Sequence, residues 1–232
     1  MDAITVVMAT RNSASFVSDA LDSVMSQGHQ PAFVWVIDAD STDETEDIVR
    51  RIPHVQLIRQ TGTGLWQAWN QAIAQARTPF IAILDSDDRW EPDALSVHIT
   101  AFAHNPQAAV STGRTRFFCD SKKVPAGVRP ELLKGSHRGA FPGATLWRRE
   151  AFATLGPFRE DLTHASDIEW FLRLRQSSLE TAEPEAVVLA KRIHSNSLGL
   201  SLTQSTAYDR QLINVARESI HRIRKTTMED VK

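Results

Sequence analysis

The chain has 232 residues, of which 42% are hydrophobic and 23% are charged, and its net charge is -2 with a pI of about 6.4. This composition is that of an ordinary globular protein, and the near-neutral charge gives no global field that would attract nucleic acid or an anionic membrane. A single cysteine, Cys119, excludes an intramolecular disulfide and a cysteine-rich zinc site.

The start of the chain, Met1 to Thr5, lacks the basic residues and the long apolar core of a signal peptide. No apolar run reaches the roughly 18 residues that a membrane-spanning helix needs. We therefore expect a cytoplasmic protein without a nucleic-acid partner. Peripheral contact with the inner face of the cell membrane stays open.

The first hundred residues alternate between short apolar, β-branched runs and segments of helical periodicity. The runs that predict buried strands are Ile4–Met8, Phe33–Ile37, Val55–Ile58 and Pro79–Leu84. A helix is predicted after each strand. The first carries Phe16 to Met25, the second ends near Arg51, the third runs from Gly64 through Ala76, and the fourth runs from Pro92 to about Ala103. This alternation predicts an α/β fold with an open, largely parallel sheet.

The pattern changes after the first hundred residues, and a long polar stretch from Asp120 to Gly139 interrupts it. The elements predicted here are a strand over Ala108–Phe118, a strand over Gly143–Trp147, helices over Glu150–Leu155 and Asp167–Gln176, a strand over Ala186–Ile193 and a terminal helix over Ser205–Lys225. We expect one domain, 1–232, with two sequence halves at 1–105 and 106–200 and a C-terminal helix at 201–232.

The terminal helix is predicted to carry one apolar face, formed by Leu212, Ala216, Ile220 and Ile223. It also carries basic residues, at Arg210, Arg217, Arg222, Arg224 and Lys225. A basic amphipathic helix can lie on anionic lipid, but docking against the core or against a second subunit explains the apolar face equally well. We favour docking, and a homodimer stays open.

The fourth predicted strand ends in an acidic loop, in which Asp85, Asp87 and Asp88 lie within four residues. Carboxylates at this spacing can converge on one hard cation, and Mn²⁺ or Mg²⁺ takes oxygen ligands while keeping positions for substrate phosphates. The three charges repel each other unless something positive is bound. The alternative is a solvated turn in which one aspartate caps the following helix at Glu91 and Pro92.

A second polar loop, from Asp38 to Asp43, follows the second strand. Because ligands of such sheets bind outside the carboxyl ends of the strands, this loop can present a carboxylate to a base or a ribose. Its alternative interpretation is helix capping by Ser41 or Thr42.

Two later residues are candidates for chemistry. Asp167 begins a predicted helix, where it either gains from the helix dipole or deprotonates a hydroxyl as a general base. His194 follows a predicted strand, where it has a structural role, contacts a phosphate or completes a metal shell, since imidazole is tolerated by manganese.

These elements in this order resemble the family 2 glycosyltransferases, over roughly residues 3–200. The matching motifs are the turn Ala9-Thr10-Arg11-Asn12, the loop Asp38 to Asp43, the helix Gly64 to Asn70, the acidic loop Asp85-Ser86-Asp87-Asp88, the pair Ser166-Asp167 and the triplet Arg192-Ile193-His194. The resemblance implies the GT-A fold, a Rossmann-like three-layer α/β/α sandwich with a mostly parallel central sheet.

The resemblance also implies an inverting, nucleotide-sugar-dependent transferase that acts in bacterial surface polysaccharide or glycoconjugate synthesis. It makes 1–105 the nucleotide-sugar-binding half and 106–200 the acceptor and catalytic half. It assigns Mn²⁺ or Mg²⁺ to Asp87, Asp88 and His194, and the general base to Asp167. The donor, expected to be a UDP-sugar, would contact Ala9, Thr10, Arg11, Asn12, Asp38, Asp40, Gly64, Asn70, Asp85 and Ser86.

Three positions depart from the family pattern. Ala39 replaces the acid that commonly contacts uracil, which puts the preference for uridine in doubt. Arg11 stands where many relatives have an aromatic or another polar residue, and can pair with phosphate or stack on a base. Ser166 replaces the acid that usually precedes the base.

A saccharide or lipid-linked acceptor is expected, with contacts at His137 and Arg138 and a stacking surface at Trp170. The alternative function is a GT-A domain that binds nucleotide or sugar without turnover, which Ala39 and Ser166 keep open. A nicotinamide enzyme is excluded because no Gly-x-Gly-x-x-Gly follows the first strand. A nucleotidyltransferase would share the fold and the acidic loop, but the Gly-rich basic loop that it normally has after the first strand is missing.

Overall fold

The computed structural model describes residues 2–121, 124–195 and 206–229. The strands within these ranges are β1 Ile4–Thr10, β2 Phe33–Asp38, β3 Val55–Arg59, β4 Phe80–Ile83, β5 Arg89–Trp90, β6 Ala108–Thr112, β7 Arg114–Phe118, β8 Thr145–Arg148, β9 Glu180–Ala182 and β10 Val187–Arg192. The helices are α1 Val17–Met25, α2 Thr45–Arg50, α3 Leu65–Gln75, α4 Ala94–His104, α5 Arg149–Leu155, α6 Ser166–Gln176 and α7 Thr206–Glu229. Short 3-10 turns lie at Pro130–Leu133 and Pro142–Ala144.

Seven of these strands form the main sheet, in the order β3-β2-β1-β4-β8-β6-β9. Strands β3, β2, β1 and β4 are parallel, and β8 runs antiparallel to both β4 and β6. The prediction of an α/β fold with a mostly parallel central sheet is therefore confirmed.

The side chains of β1 explain why helices cover both faces of this sheet. Val6 packs in one core cluster with Leu21 and Val24 of α1. Val7, the next residue, packs in a second cluster with Trp69 of α3. Successive residues of a strand point to opposite faces, so a continuous apolar strand needs an apolar layer on each side.

A smaller sheet, β5-β10-β7, flanks the main one and changes one prediction. Ala108–Phe118, predicted as one strand, is two strands in two different sheets, separated at Gly113. A Cβ at Gly113 would lie 2.5 Å from Cγ2 of Val188, which is fully buried in β10. Because glycine alone lets the chain pass this close to β10, the turn into the smaller sheet occurs there.

Replacing Gly113 with Ala is expected to destabilise the fold by about 1–3 kcal/mol, because the added methyl group overlaps the Val188 side chain. Urea unfolding of the two proteins measures this difference. Val188→Ala makes room at the same place, so the double variant should cost clearly less than the sum of the two single changes. Additive costs would show that the Gly113–Val188 contact is not the cause.

The terminal helix α7 confirms the predicted helix but not its predicted face. The buried side chains are Val215 and Ser219, whereas Ile213, Ile220 and Ile223 are about half exposed. The docking is polar, since Gln176 Nε2 of α6 donates to the Ser219 carbonyl at 3.2 Å and Arg222 pairs with Glu169 at 3.2 Å.

The predicted face was wrong because it followed apolar residues alone. The side chains of Arg224 and Lys225, which were part of the membrane alternative, lie outside the described residues. Within the described part of the chain, no helix combines the length and the apolar character that crossing a bilayer requires.

Candidate functional site

The loops that follow β1, β2 and β4 meet at the carboxyl edge of the main sheet and are tied to one another. Ser13 and Ser86 share a hydrogen bond between their hydroxyls at 2.8 Å. Asn12 Oδ1 accepts from the Thr42 backbone N–H at 2.8 Å, and the Asn12 backbone adopts a φ of 52° to reach it. Asparagine tolerates this left-handed conformation better than most residues. Hydrogen bonds thus connect the three loops at this edge of the sheet.

The loop after β2 uses its carboxylates mostly within itself. The buried Asp38 accepts from the backbone N–H of Ser41 at 2.8 Å and from its hydroxyl at 2.5 Å. Asp40 is exposed and pairs with Arg59 at 2.8 Å. Neither carboxylate lines the cavity beside the acidic loop that is described below. The structure therefore does not place Asp38 or Asp40 in that cavity for the predicted contact with a ribose or base.

The alternative of capping by Ser41 or Thr42 was wrong in detail. Asp43 instead accepts from the backbone N–H of Thr45 at 3.0 Å and from that of Ala14 at 3.1 Å. It therefore satisfies donors at the start of α2 and in the β1–α1 turn together, a non-local contact that the local sequence does not display.

The acidic loop brings its carboxylates together. One carboxylate oxygen from each of Asp85, Asp87 and Asp88 lies within 4.8 Å of the others. Asp87 Oδ2 is 3.0 Å from Nε2 of His194, which follows β10. Hard oxygen donors with a nearby imidazole suit a divalent cation such as Mn²⁺ or Mg²⁺, so the residues present fit such an ion.

A lysine already lies among these carboxylates. Lys191 Nζ is 2.7 Å from Asp88 Oδ2 and 3.2 Å from Asp85 Oδ2. Asp88 is 1% exposed, and its other oxygen accepts from the Arg192 backbone N–H at 2.7 Å. Asp88 thus joins the acidic loop to β10, and Asp87 is the carboxylate of the loop that faces His194.

Burial and the charges of neighbouring groups change the pKa values of this cluster. Burial raises the pKa of Asp85 and of Asp88, and the Lys191 ammonium offsets only part of that rise. Burial opposes the charged form of Lys191, but the carboxylates of Asp88, Asp85 and Asp87 outweigh it and raise the pKa of Lys191. The lysine is therefore an ammonium throughout the physiological range.

Arg192 fixes the position of the acidic loop. Its guanidinium donates from Nε to the Asp87 carbonyl at 2.8 Å and pairs with Asp19 and Asp120. The group also lies over the ring of Phe16, at 5.2 Å from the centroid. A planar guanidinium donates in several directions at once, which a lysine cannot do. Arg192 is 5% exposed, so its role is to hold the loop and not to reach into solvent.

Asp167 is the first-turn residue of α6, and its Oδ1 accepts from the Ile168 backbone N–H at 2.8 Å. Burial raises the pKa of this carboxyl and the negative charge of Asp85 adds to the rise, whereas the Ile168 hydrogen bond and the charge of Lys191 lower it in part. Asp167 does not line the cavity described below, and it is related to the acidic loop through these charge effects. A raised pKa makes the carboxylate a stronger base.

A cavity of about 710 Å³ lies above the acidic loop. Of the predicted residues, those that line it are Ala9, Arg11, Asn12, Asp85, Ser86, Asp87 and His194. A more open cleft of about 750 Å³ lies beside α4 and residues 181–184, and none of the predicted residues lines it. The first cavity is therefore the candidate site, because it is where the predicted polar groups converge.

The sequence interpretation missed several residues of this cavity. Phe16, Phe117 and Phe141 contribute aromatic side chains, and Arg129 and Leu132 come from the polar stretch after β7. Lys191, which directly precedes the Arg192-Ile193-His194 triplet, was also missed. No local pattern marks these residues, because the smaller sheet and the 3-10 turn at Pro130–Leu133 bring them to the site from distant parts of the chain.

Some predicted residues lie elsewhere. Asn70 donates to the Phe158 carbonyl at 2.8 Å and accepts from the Phe158 N–H at 3.0 Å, so its amide holds the segment after α5 and is not available to a nucleotide. Gly64 precedes α3 with a φ of 93°, and Thr10 is a buried residue at the end of β1. Neither of them lines the cavity.

The predicted acceptor residues do not form one surface. Trp170 is fully buried and its indole N–H donates to the Gly156 carbonyl at 3.1 Å, so the prediction of a stacking surface there was wrong. His137 Nε2 is hydrogen-bonded to the Leu132 carbonyl at 3.0 Å, and Arg138 pairs with Glu185 at 2.6 Å. Both of these side chains lie outside the cavity lining.

The model of glycosyl transferase family 2 matches residues 5–176 of this chain. Among curated proteins, the putative teichuronic acid biosynthesis glycosyltransferase TuaG of Bacillus subtilis is 30% identical over 138 residues, which cover 56% of this chain and 54% of TuaG. The poly-beta-1,6-N-acetyl-D-glucosamine synthase of Staphylococcus aureus is 24% identical over 192 residues, which cover 75% of this chain and 47% of the synthase. The chain thus spans about half the length of these relatives.

Solved structures share the fold. TarS of S. aureus in complex with UDP-GlcNAc superposes with a TM-score of 0.69 at 18% identity, covering 86% of this chain and 60% of that one. The mannosyltransferase PcManGT from Pyrobaculum calidifontis in complex with GDP-Man and Mn²⁺ gives 0.70 at 19% identity, covering 94% and 64%.

Proposed function

The chain belongs to glycosyl transferase family 2 and is a glycosyltransferase, and from that premise we propose that it moves a sugar from a nucleoside diphosphate sugar to an acceptor hydroxyl with inversion at the anomeric carbon. The observation that carries the proposal is the convergence of Asp85, Asp87 and His194 in one cavity, with Asp167 electrostatically coupled to it. Family membership does not favour the alternative of a non-catalytic binding domain.

In the proposed site, Asp87 and His194 would hold a divalent cation, which would supply positive charge for the donor diphosphate. When bound, such a cation stabilises the negative charge that the departing diphosphate acquires. Asp88 and Arg192 keep the acidic loop in place from behind, through the backbone contacts at the Arg192 N–H and the Asp87 carbonyl. The identity of the metal belongs to the proposal, and Mn²⁺ is the first choice because the similar PcManGT binds it.

Asp167 acts as the general base in this proposal. Its carboxylate takes the proton of the acceptor hydroxyl as that oxygen bonds to the anomeric carbon, and the bond from this carbon to the diphosphate breaks on the opposite side. A single displacement of this kind inverts the configuration. Holding the two substrates in line supplies much of the rate enhancement, so the rigid frame of tied loops matters as much as the base.

The donor base and the pathway are proposed more broadly. A uridine donor is the first choice because TarS binds UDP-GlcNAc, whereas PcManGT binds GDP-Man and Ala39 removes an acidic side chain from the β2 loop. The similarity to TuaG and to a poly-beta-1,6-N-acetyl-D-glucosamine synthase supports a role in bacterial polysaccharide or glycoconjugate synthesis, with a saccharide or lipid-linked acceptor.

Calorimetric titration of UDP, GDP and TDP, each with Mn²⁺ and with EDTA, tests the donor site. We expect one nucleotide to bind at least about tenfold more tightly with Mn²⁺, because a divalent cation would offset the repulsion between the diphosphate and the carboxylates of the acidic loop. Slow hydrolysis of the matching nucleotide sugars, followed by release of the diphosphate, separates an enzyme from a binding domain. If no nucleotide binds under either condition, the proposed donor site is wrong.

A further inference from the structure

Lys191 places a positive charge within the acidic loop, beside the carboxylates that lie within reach of one another and include Asp87, the proposed metal ligand. The side chain is 29% exposed, and its ammonium contacts Asp88 at 2.7 Å and Asp85 at 3.2 Å. We propose that Lys191 is a resident cation of the donor site, which weakens the binding of a free divalent metal and attracts the nucleotide diphosphate, so that metal and nucleotide bind tightly only together. This inference rests on the proposed function.

The strand that carries Lys191 keeps the ammonium in place. Residues Leu189 and Ala190 pair with β5, and Lys191 itself lies opposite Phe117 of β7. The next residue, Arg192, is bonded to Asp88 through its backbone and to the Asp87 carbonyl through its side chain. The backbone of Lys191 is thus held beside the acidic loop, and the contacts with Asp88 and Asp85 hold the ammonium there.

The net charge of this cluster determines how a metal and a diphosphate bind to it. Asp85, Asp87 and Asp88 carry three negative charges when ionised, and Lys191 leaves two. A free divalent cation entering this site meets a positive charge a few ångströms away, which costs binding energy even at high effective dielectric constant. A diphosphate that binds together with the metal makes the charge of Lys191 favourable, because the diphosphate is attracted to both the metal and the ammonium.

Lys191→Gln tests the inference, since it removes the charge and keeps a hydrogen-bond donor. Two affinities are measured on the full chain, that of Mn²⁺ alone and that of the nucleoside diphosphate in EDTA. We expect Mn²⁺ alone to bind about tenfold more tightly or better, and the metal-free nucleotide to bind about tenfold more weakly or worse. A lysine with a purely structural role would not move the two affinities in opposite directions.

Two controls accompany this variant. Lys191→Arg keeps the charge, so both affinities should stay within about threefold of those of the parent protein. Arg50→Gln removes an equal charge from an exposed ion pair with Glu46 on α2, and both affinities should be unchanged. Circular dichroism of each variant verifies that it is folded.

If Lys191→Gln does not fold, Asp88→Asn provides the reciprocal test, since it removes a negative charge beside the lysine. Mn²⁺ alone should then bind more weakly, and the metal-free nucleotide more tightly. Unchanged affinities in whichever variant folds, or shifts of both affinities in the same direction, would overturn the inference.

The result also distinguishes this inference from the proposed function. If the parent protein binds nucleotide more tightly with Mn²⁺ but Lys191→Gln leaves both affinities as they were, only the role of Lys191 is wrong. If the parent protein shows no effect of Mn²⁺ on nucleotide binding, the proposed metal site is wrong, and the inference about Lys191 is overturned with it.

Discussion

Replacing Asp167 with Asn is expected to slow sugar transfer by about 10²–10⁴-fold while leaving the nucleotide affinity nearly unchanged. Asparagine has the same shape, and its Oδ1 can still accept from the Ile168 N–H, so α6 should begin in the same way. In the proposed mechanism, the variant loses the carboxylate that takes the acceptor proton. Initial rates with saturating donor and calorimetry with the nucleotide measure the two quantities separately.

The pH dependence of the same reaction gives an independent check. Since burial and Asp85 raise the pKa of Asp167 above its ordinary value of 3.8, the base is protonated over a wider acidic range than a solvent-exposed aspartate. The transfer rate should therefore rise with pH and level off above this raised pKa. The Asp167→Asn variant should not show this rise. Asp22→Asn on the exposed side of α1 is the matched control and should keep full activity. A fully active Asp167→Asn would exclude this residue as the base.

Replacing Asp87 with Ala is expected to remove the metal-dependent part of nucleotide affinity. The loss should be on the order of 10²-fold, because even the hydrogen-bond partners behind metal ligands contribute about 10–100-fold to affinity. Affinity measured in EDTA should change far less. Calorimetry with and without Mn²⁺ gives both values.

Asp47→Ala, an exposed aspartate of α2, serves as the matched control for Asp87→Ala and should behave like the parent protein. Thermal unfolding in EDTA verifies that the acidic loop does not need the Asp87 side chain to fold. That result is expected because the structural contacts of the loop run through Asp88 and the Asp87 carbonyl. If Asp87→Ala binds nucleotide with undiminished dependence on the metal, Asp87 is not a ligand of the proposed metal and other residues must hold it.

The strands of the main sheet could be predicted because their signal is local. Strands β1 and β4 are mostly apolar runs buried on both faces, whereas the edge strand β3 is only partly buried, and parallel pairing places the ends of these strands at one edge of the sheet. The convergence of the β1 and β4 loops then follows from topology. This is why Arg11, Asn12 and the acidic loop could be placed in one cavity without coordinates.

The errors share a different physical origin, which is competition between long-range partners. Asn70 and Trp170 have the chemistry of binding residues, but Phe158 and Gly156 of the segment after α5 satisfy their polar groups inside the protein. Ser166 is also fully buried, so its replacement of the usual acid changes a packed position and not the lining of the cavity. No pattern within a window of the sequence reports such partners.

The pairing of β5 with β10 has a consequence for how the protein loses activity. The acidic loop leads directly into β5, and β10 carries the lysine and leads to the histidine that faces the loop, so this pairing fixes the charged groups of the candidate site relative to one another. The Glu91 N–H extends the pairing by donating to the Val188 carbonyl at 2.9 Å. Trp90 of β5 and Val188 and Leu189 of β10 pack in the core cluster that contains Val6 of β1. The charged cluster is therefore anchored in the main core, and we expect denaturant or heat to disperse it together with the fold and not by separate opening of these strands.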